Sequence, residues 1–411
     1  MKSNNIIIGG GITGLMCAYM LIKKGHGVTV IDKGDISDNT SFGNAGLVSP
    51  FEELPLSRPG IITDTIKLIL KNQSPLIING ISPKIIKWLY LFTKNANKQR
   101  LKRTLILFEK YGEITMAHYK SMAKNDFDFD FQPTGVAMAY TDLETFNNDT
   151  KVCKDNPYKD IWDINKTKEM IPCVNEKVIG SIFLNRNAHL NPASLMKNLV
   201  KFLKEKGVNF VLNTEIINFE FKNKKAIKAI SKNKDFVADN FIIATGADIS
   251  LSRKTGTDLM LTPAKGYSMT FKMANKLKPK VAVLFKDQFI GLVPRKETVR
   301  ITSKLELGNY DFTYKMKRFE SILNTLKPFI VEFQMKDIEY WTGFRPLTPN
   351  DIPLFGRDES YENIIHANGM GWLGITFGPA IGDIISRLID KEIKNKKSDD
   401  LLLFSGFYQG C

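Results

Sequence analysis

The sequence has few of the residues from which metal centres and disulfide frameworks are built. Its four cysteines (Cys17, Cys153, Cys173 and Cys411) are widely spaced, and none forms a CxxC pair or a cluster with histidine. This spacing argues against a zinc site and a disulfide framework, and it indicates a reducing compartment. The four histidines are equally dispersed, so they predict neither a catalytic triad nor a metal pair.

Long hydrophobic runs are also missing. The apolar stretch that ends at Ile22 is interrupted by Gly9, Gly10 and Gly11, which fits a strand, a turn and a helix better than a signal peptide. No segment reaches the roughly 18 consecutive apolar residues that span a bilayer. The net charge of +15 is consistent with nucleic acid, an anionic membrane or acidic substrates. Because the lysines are scattered along the chain, a solvated basic surface is the simplest interpretation.

The periodicity of apolar residues predicts an α/β protein. Residues 6–8 and 28–32 have the pattern of short buried strands, and residues 12–24 between them have helical periodicity. Residues 61–125 are mostly helical, with one apolar face at Ile62, Thr65, Ile66, Ile69 and Leu70 and another at Ile85, Trp88, Leu89 and Phe92. Segments 265–272, 281–293 and 299–307 alternate as an antiparallel sheet does, and a helix is predicted from about Ile375 to Lys394. This order indicates two domains, each discontinuous in sequence.

The first turn has the spacing of a dinucleotide site. Gly9, Gly11 and Gly14 form GxGxxG between a strand and a helix, so that the free N–H groups of the helix can face a pyrophosphate. Asp32 follows the second strand about twenty residues on, where an acid can bind the ribose hydroxyls. The turn predicts a dinucleotide and leaves FAD and NAD open.

Segments far along the chain resemble one family. They are Thr40 to Pro50 (TSFGNAGLVSP), Lys265 to Thr270 (KGYSMT) and Trp341 to Gly356 (WTGFRPLTPNDIPLFG), with weaker matches at 188–192, 244–246 and 369–374. In this order they resemble the D-amino-acid dehydrogenase group of the FAD-dependent, DAO-type amine oxidoreductases. The resemblance covers essentially the whole chain, and it decides the cofactor in favour of FAD.

The resemblance implies a particular architecture. We expect a Rossmann-like FAD-binding domain of the GR2/DAO type, interleaved with an antiparallel-sheet α+β substrate domain. The FAD-binding domain is predicted to comprise residues 1–50, 185–262 and 340–411. The substrate-binding domain is predicted to comprise residues 51–184 and 263–339.

The same resemblance implies where FAD binds. Loop 40–47 is expected to pass under the isoalloxazine, and the second glycine turn starts a helix whose N-terminus faces the flavin N1/C2=O edge. We expect non-covalent attachment, because no cysteine or histidine lies in a motif typical of a covalent flavin. The chain departs from many relatives at Asp32, where they carry Glu, and at Met370, where they carry His. The predicted FAD contacts are Gly9, Gly11, Ile12, Thr13, Gly14, Asp32, Lys33, Thr40, Ser41, Asn44, Ala45, Gly46, Leu47, Ile216, Thr245, Gly246, Ala247, Gly343, Gly371, Trp372, Leu373, Gly374, Ile375 and Thr376.

For catalysis, the resemblance singles out an arginine. In the family, the arginine of the Gly-Phe-Arg-Pro motif pairs with the substrate carboxylate, and Arg345 occupies that position. Tyr267 is the next candidate for a pocket hydroxyl, whereas Lys265 in the same motif is more readily structural. We expect hydride transfer from Cα to flavin N5, with Arg345 orienting the substrate. The expected reaction is oxidative deamination of small D-amino acids, of the size of D-alanine or D-proline, to 2-oxo or imino acids.

The electrons are expected to pass to a quinone or a similar carrier, and the enzyme to be cytoplasmic, with possible peripheral contact on the inner face of the inner membrane. The main alternative is oxidation of secondary or N-substituted amino acids, such as proline, hydroxyproline, sarcosine or glycine. A flavin-dependent RNA-modifying enzyme would need a basic stripe that the sequence does not show, so no nucleic-acid partner is predicted. The last alternative is a flavoprotein that only relays electrons, and the bound flavin of such a protein would not be reduced by any amine.

Overall fold

A computed structural model describes residues 2–37, 39–51, 55–70, 74–308 and 310–392. Cys411 and the predicted end of the last helix at Lys394 lie outside these residues. The helices are α1 (Ile12–Lys23), α2 (Ile61–Leu70), α3 (Pro83–Asn95), α4 (Lys98–Asn125), α5 (Leu143–Cys153), α6 (Ile164–Met170), α7 (Pro192–Glu205), α8 (Ser250–Lys254), α9 (Met316–Leu326) and α10 (Gly374–Ile389).

The strands are β1 (Asn4–Ile8), β2 (Gly27–Ile31), β3 (Leu47–Val48), β4 (Leu76–Ile78), β5 (Val136–Tyr140), β6 (Lys159–Trp162), β7 (Gly180–Leu184), β8 (Ala188–His189), β9 (Asn209–Val211), β10 (Ile216–Lys222), β11 (Lys225–Ser231), β12 (Asp235–Phe236), β13 (Asn240–Ile243), β14 (Thr262–Lys272), β15 (Ala282–Phe285), β16 (Ile290–Pro294), β17 (Val299–Leu307), β18 (Lys336–Leu347), β19 (Leu354–Arg357) and β20 (Ile364–Asn368). The predicted segment 281–293 thus consists of two strands, β15 and β16, which pair antiparallel.

The six-stranded sheet has the doubly wound form that the first strands predict. Its order is β19-β20-β13-β1-β2-β9. Strands β20, β13, β1, β2 and β9 run parallel, and only β19 is antiparallel. Helix α1 is buried from Ile12 to Leu21 and packs on α10, whose Gly382 lies so close that a Cβ there would be 2.7 Å from the Met16 carbonyl oxygen.

The nine-stranded sheet is mixed, with mostly antiparallel pairs. Its order is β18-β14-β17-β16-β15-β5-β7-β6, and β4 pairs with the end of β17. The pairs of β15 with β5 and of β17 with β4 are parallel. Strand β18 pairs with β14 from Lys336 to Leu347, with one register shift between Lys336 and Glu339, so it crosses the predicted domain boundary at residue 340. The division of the chain into domains stays a prediction.

Helices α2 and α3 were predicted by the same kind of apolar pattern, but the structure treats them differently. On α3, Ile85 and Trp88 are buried as expected. On α2, three residues of the predicted apolar face, Ile62, Ile66 and Ile69, are turned outward and are 45%, 52% and 50% exposed, while Thr65 is partly buried and the side chain of Leu70 lies outside the described ones. The helical period is therefore correct in both helices, while only one of the two apolar faces is covered by the described residues.

No helix in the described ranges combines the length and the apolar character needed to cross a bilayer. The last helix ends earlier than expected, at Ile389 instead of Lys394. Lys391 has a φ of 61°, which is incompatible with a continuing α-helix, so the chain turns away at this point.

Candidate active site

A cavity of about 1310 Å³ runs from the six-stranded sheet to the face of the nine-stranded sheet. It begins at the carboxyl ends of the parallel strands, where Ile8, Ile31 and Ala244 line it, which is the usual place for a ligand in such sheets. Every predicted FAD contact lines this cavity except Gly14 and Gly46, and so do Arg345 and Tyr267. One cavity therefore collects residues from both ends of the chain.

The glycine turn is held together by close backbone contacts. Gly9 has a φ of 113°, and a Cβ on it would lie 2.3 Å from the Ala244 carbonyl oxygen. A Cβ on Gly14 would lie 2.0 Å from the Gly9 carbonyl oxygen. Gly14 is thus behind the turn, where it lets α1 pack against β1, and this is why it does not line the cavity.

The N-terminus of α1 is suited to hold a phosphate. Its N-cap residue, Gly11, makes no side-chain cap, and the first turn contains no acid. The Ile12 N–H donates to the Ser41 hydroxyl at 3.0 Å, which ties loop 40–47 to the helix. The helix dipole and the N–H groups of the first turn other than that of Ile12 supply partial positive charge at the cavity wall.

Asp32 closes the turn from the other side. Its carboxylate accepts the Gly10 N–H at 2.6 Å and the Gly34 N–H at 2.8 Å, one on each oxygen. Each oxygen keeps a further lone pair for a ribose hydroxyl. Lys33, another predicted contact, forms an ion pair with Asp248 at 2.9 Å beside the cavity.

Loop 40–47 is fixed by an arginine that the sequence did not single out. The Arg300 guanidinium donates through Nη1 to the carbonyl oxygens of Phe42 (2.6 Å) and Asn44 (2.9 Å), and through Nε to the Thr270 hydroxyl (2.8 Å). Burial lowers the pKa of Arg300 to about 10, so it remains charged at neutral pH. An arginine inside the alternating strand β17 was the available signal, but its contact with loop 40–47 depends on the packing of that loop on the sheet.

The second glycine turn meets the same loop at the opposite side of the cavity. The Asn44 side chain donates to the Trp372 carbonyl oxygen at 3.3 Å, and the Thr376 hydroxyl donates to the Leu47 carbonyl oxygen at 3.2 Å. Helix α10 starts here without a side-chain cap. Met370 is 5% exposed and lines the cavity. Two helix N-termini therefore face one cavity, an arrangement that fits the anionic pyrophosphate at one and a flavin edge at the other.

Arg345 lies at the substrate end, on β18, opposite Ala264 of β14. Its Nη1 donates to the Lys304 carbonyl oxygen at 3.1 Å. Lys304 has a φ of 66° within β17, next to a shift in the register between β14 and β17. This local bulge turns the Lys304 carbonyl toward the guanidinium.

The Arg345 guanidinium has no counter-charge in the described part of the chain, since no acidic side chain there lies within ion-pair distance of it. Burial lowers the pKa of Arg345 to about 10, and it stays protonated at neutral pH. A Cβ on Gly266 would lie 2.7 Å from its Cζ, so the glycine leaves room for the guanidinium. A charged group held in this way can accept a carboxylate without first breaking an ion pair.

Tyr267 borders the cavity, but its hydroxyl is already engaged. It donates to Glu306 Oε2 at 2.6 Å, and the Arg318 Nε lies 3.3 Å from the same oxygen. Burial, followed by the hydrogen bond to Glu306, raises the pKa of Tyr267. Lys265 is fully buried, with its Nζ on Asp311 and on the Thr313 carbonyl oxygen, which agrees with a structural role. The predicted substrate contact of Tyr267 stays a prediction.

Histidine takes no part in the cavity wall: all four histidines are described, and none lines it. His366 lies between Asp358 (Nε2 to Oδ2, 2.8 Å) and Ser252 (Nδ1 to Oγ, 3.3 Å), so these three residues have the composition and order of a catalytic triad. Ser252 and His366 are completely buried, and Asp358 is 5% exposed. Because no substrate can reach this serine, we assign the group to the packing of α8 against β20.

Comparisons with known proteins agree with this geometry. The model of the DAO family, described as FAD dependent oxidoreductase, matches residues 5–388. The chain is 46% identical to a D-amino acid dehydrogenase of Helicobacter pylori over the full length of both, and 26% identical to one of Vibrio atlanticus (strain LGP32), covering 96% of this chain and 98% of the relative. The crystal structure of glycine oxidase from Geobacillus kaustophilus superposes with a TM-score of 0.77 at 18% identity, covering 98% of each chain. The fold class predicted from the sequence is confirmed.

Proposed function

The chain belongs to the family of FAD-dependent oxidoreductases, as its motifs predict, and from this premise we propose that it is a D-amino-acid dehydrogenase. The substrates would be small D-amino acids, which are converted to imino acids and then to 2-oxo acids. The names of the relatives from Helicobacter pylori and Vibrio atlanticus support this proposal. FAD would supply the oxidising power, by accepting a hydride from the substrate Cα.

The observation that carries the proposal is Arg345, a guanidinium to which the described residues supply no counter-charge, in the same cavity as the dinucleotide turn. Arg345 would bind the substrate carboxylate through its planar fork and thereby fix the direction of the Cα–H bond. The Lys304 carbonyl holds Nη1 and sets the orientation of the fork. The residues around it do not need to provide an acid, because the amine has only to be neutral when it is oxidised.

FAD would be held by the groups already described: the N-terminus of α1 at the pyrophosphate, Asp32 at the ribose and loop 40–47 with the start of α10 at the flavin. We propose that it is held non-covalently. The described cysteines are buried. Burial raises the pKa of the Cys17 thiol to about 12, so this thiol is a poor nucleophile. Precipitation with acid should release all of the yellow colour into the supernatant. Colour retained in the pellet would show a covalent bond.

The second candidate function is oxidation of glycine or of secondary amino acids. It is favoured by the same Arg345, which recognises a carboxylate and not the stereochemistry or substitution of the amine. A structural neighbour named glycine oxidase shows that this fold is compatible with that activity, although at 18% identity it shows the fold alone.

The test is anaerobic reduction of the bound flavin by a panel of amino acids. We expect D-alanine and D-proline to bleach the yellow colour at concentrations up to about 1 mM, the upper end of the usual range of KM, and their L-enantiomers to leave it unchanged. Faster bleaching by glycine, sarcosine or L-proline would support the second candidate. An absence of bleaching by every amine would leave only a redox relay.

We further propose that electrons leave to a quinone instead of oxygen, and that the positively charged surface allows peripheral contact with a membrane. The net charge of +15 supports attraction to anionic lipids. Turnover with a soluble quinone analogue in air should exceed turnover with oxygen alone. Equal rates of peroxide formation and quinone reduction would identify an oxidase.

A further inference from the structure

One segment of the chain holds much of the positive charge. From Arg58 to Arg103 the sequence has ten lysines and arginines and one acid, Asp64. That acid is paired with Arg58 at 3.5 Å. The whole-chain composition suggested that the basic residues are scattered evenly. This segment shows that they are not. This segment includes α2 and α3.

The same helices expose large apolar side chains. On α2, Ile62, Ile66 and Ile69 are about half exposed and follow the i, i+4, i+7 spacing of one helix face. On α3, Ile86 and Tyr90 are 57% and 64% exposed, one turn apart. Large apolar side chains exposed in a row along one helix face exceed the single exposed apolar residues that are usual on a monomer, and such a patch marks a contact surface.

The inner faces of these helices belong to the cavity. Thr65 and Leu68 of α2 line it, as do Trp88 and Phe92 of α3. The two helices therefore form a thin wall, with the site of chemistry on one side and the exposed apolar surface on the other. A partner bound on the outside would lie next to the cavity.

We propose that the outer faces of α2 and α3 dock on an anionic lipid bilayer. The apolar side chains would enter the boundary between headgroups and acyl chains, while the lysines contact lipid phosphates. The inference rests on the proposed function in one respect, the quinone acceptor. Docking through these helices would bring a lipid-soluble quinone close to the cavity. The docking surface consists of Ile62, Ile66, Ile69, Ile86 and Tyr90 with Lys67, Lys87 and Lys94.

A second copy of the chain is a poorer occupant for this surface. A two-fold contact would place the surface against itself and bring like charges together. In the described part of the chain, Lys67, Lys87 and Lys94 form no ion pair that would reduce this repulsion. Anionic lipid supplies the opposite charge and an apolar layer together.

The test is sedimentation of the FAD-loaded full chain with vesicles, either of phosphatidylcholine alone or with a third of phosphatidylglycerol. We expect binding to the anionic vesicles that weakens with salt. The variant Ile62→Gln/Ile66→Gln/Ile69→Gln should bind roughly tenfold more weakly, because it removes the apolar insertion. The matched control, Ile217→Gln/Ile227→Gln/Val237→Gln, changes residues that are 41%, 37% and 77% exposed elsewhere and should bind like the wild type.

The variant Lys67→Gln/Lys87→Gln/Lys94→Gln separates charge from apolar insertion, since its residual binding should be nearly independent of salt. Equal binding of the isoleucine variant and the wild type would overturn the proposal, as would a wild type that does not bind. Self-association that the isoleucine variant abolishes, without vesicle binding, would assign the surface to a second copy and also overturn it. Anaerobic bleaching of the same samples reports the proposed activity separately, because none of the substituted residues lines the cavity.

Discussion

The two ends of the cavity differ in the groups that form them: backbone at the pyrophosphate end and a charged side chain at the substrate end. At the pyrophosphate end, backbone groups of Gly9 to Gly14 and the start of α1 form the wall, and side chains matter mainly by being absent. At the substrate end, the Arg345 side chain is oriented by a carbonyl from β17 and given space by Gly266 of β14. The first end is thus built mainly from one continuous segment, which Asp32, Ser41 and Ala244 hold in place from outside it, whereas the second exists only after three strands have paired.

This difference predicts how each end fails. A change at the pyrophosphate end should remove the cofactor itself, because the backbone cannot rearrange locally without moving α1. A change at the substrate end should leave FAD in place and affect only the reaction.

The largest effect is expected for Gly14→Val. Its side chain would collide with the Gly9 carbonyl oxygen, since even a Cβ would lie 2.0 Å away. Overpacking costs about 1–3 kcal/mol or more, and here it displaces the phosphate site, so the purified variant should carry little FAD. The ratio of flavin to protein absorbance measures this directly. Gly80→Ala, where a Cβ would meet its nearest atom at 3.4 Å, is the control and should keep full FAD. A fully loaded Gly14→Val would contradict the close packing of the turn.

Arg345→Ala should have the next largest effect, and only on the reaction. Removing one partner of a charge-assisted pair costs about 2–5 kcal/mol, so kcat/KM for D-alanine should fall by a factor between roughly 30 and 4000. Arg345→Lys should fall less, since it retains the charge but loses the fork. FAD content should be unchanged in both. Arg253→Ala, which removes an exposed ion pair with Asp258, serves as the control.

Arg300→Lys tests the connection between the two ends, because Arg300 reaches from the nine-stranded sheet to loop 40–47. The shorter ammonium cannot bond the Phe42 and Asn44 carbonyl oxygens and the Thr270 hydroxyl together. Hydrogen bonds to a charged group contribute about 1.5–3 kcal/mol, so FAD affinity should weaken by about tenfold or more. Titration of the apoprotein with FAD gives the value. Wild-type affinity would mean that the loop keeps its position without this arginine.

The smallest kinetic effect is expected for Tyr267→Phe. Because the hydroxyl donates to Glu306, its loss should change kcat/KM by less than about threefold while lowering stability by about 1–2 kcal/mol. Steady-state kinetics and thermal unfolding measure the two effects. A fall of a hundredfold in kcat/KM with unchanged stability would instead support Tyr267 as a substrate contact.

The sequence predicted well those features that short segments determine. The helix predicted at residues 12–24 is α1 (Ile12–Lys23), and the strand predicted at residues 28–32 is β2 (Gly27–Ile31), each within one residue at either end. Most predicted FAD contacts line the cavity because motifs at the ends of strands meet at one edge of a parallel sheet. Their contacts with the cofactor stay predictions.

Other features depend on pairing or on what covers a surface, and the pattern of residues does not contain that information. Nothing near Arg300 in sequence indicates that it bonds loop 40–47, and the bulge at Lys304 follows from the register of β17 with β14. The apolar face of α2 was as regular as that of α3, but periodicity shows only that a face is apolar. Periodicity does not show whether protein, lipid or water lies against that face.

The central claim, that Arg345 binds the carboxylate of the substrate oxidised in this cavity, is tested most directly by combining two changes. The rate of anaerobic flavin reduction is measured for D-alanine and for D-alaninamide, which lacks the negative charge, in the wild type and in Arg345→Ala. If the two groups interact, each single change should slow reduction strongly, and the second should add little once the first is made. The claim would be contradicted if Arg345→Ala slowed the reduction by D-alaninamide by the same factor as the reduction by D-alanine. The two losses would then multiply, which would show that guanidinium and carboxylate act independently.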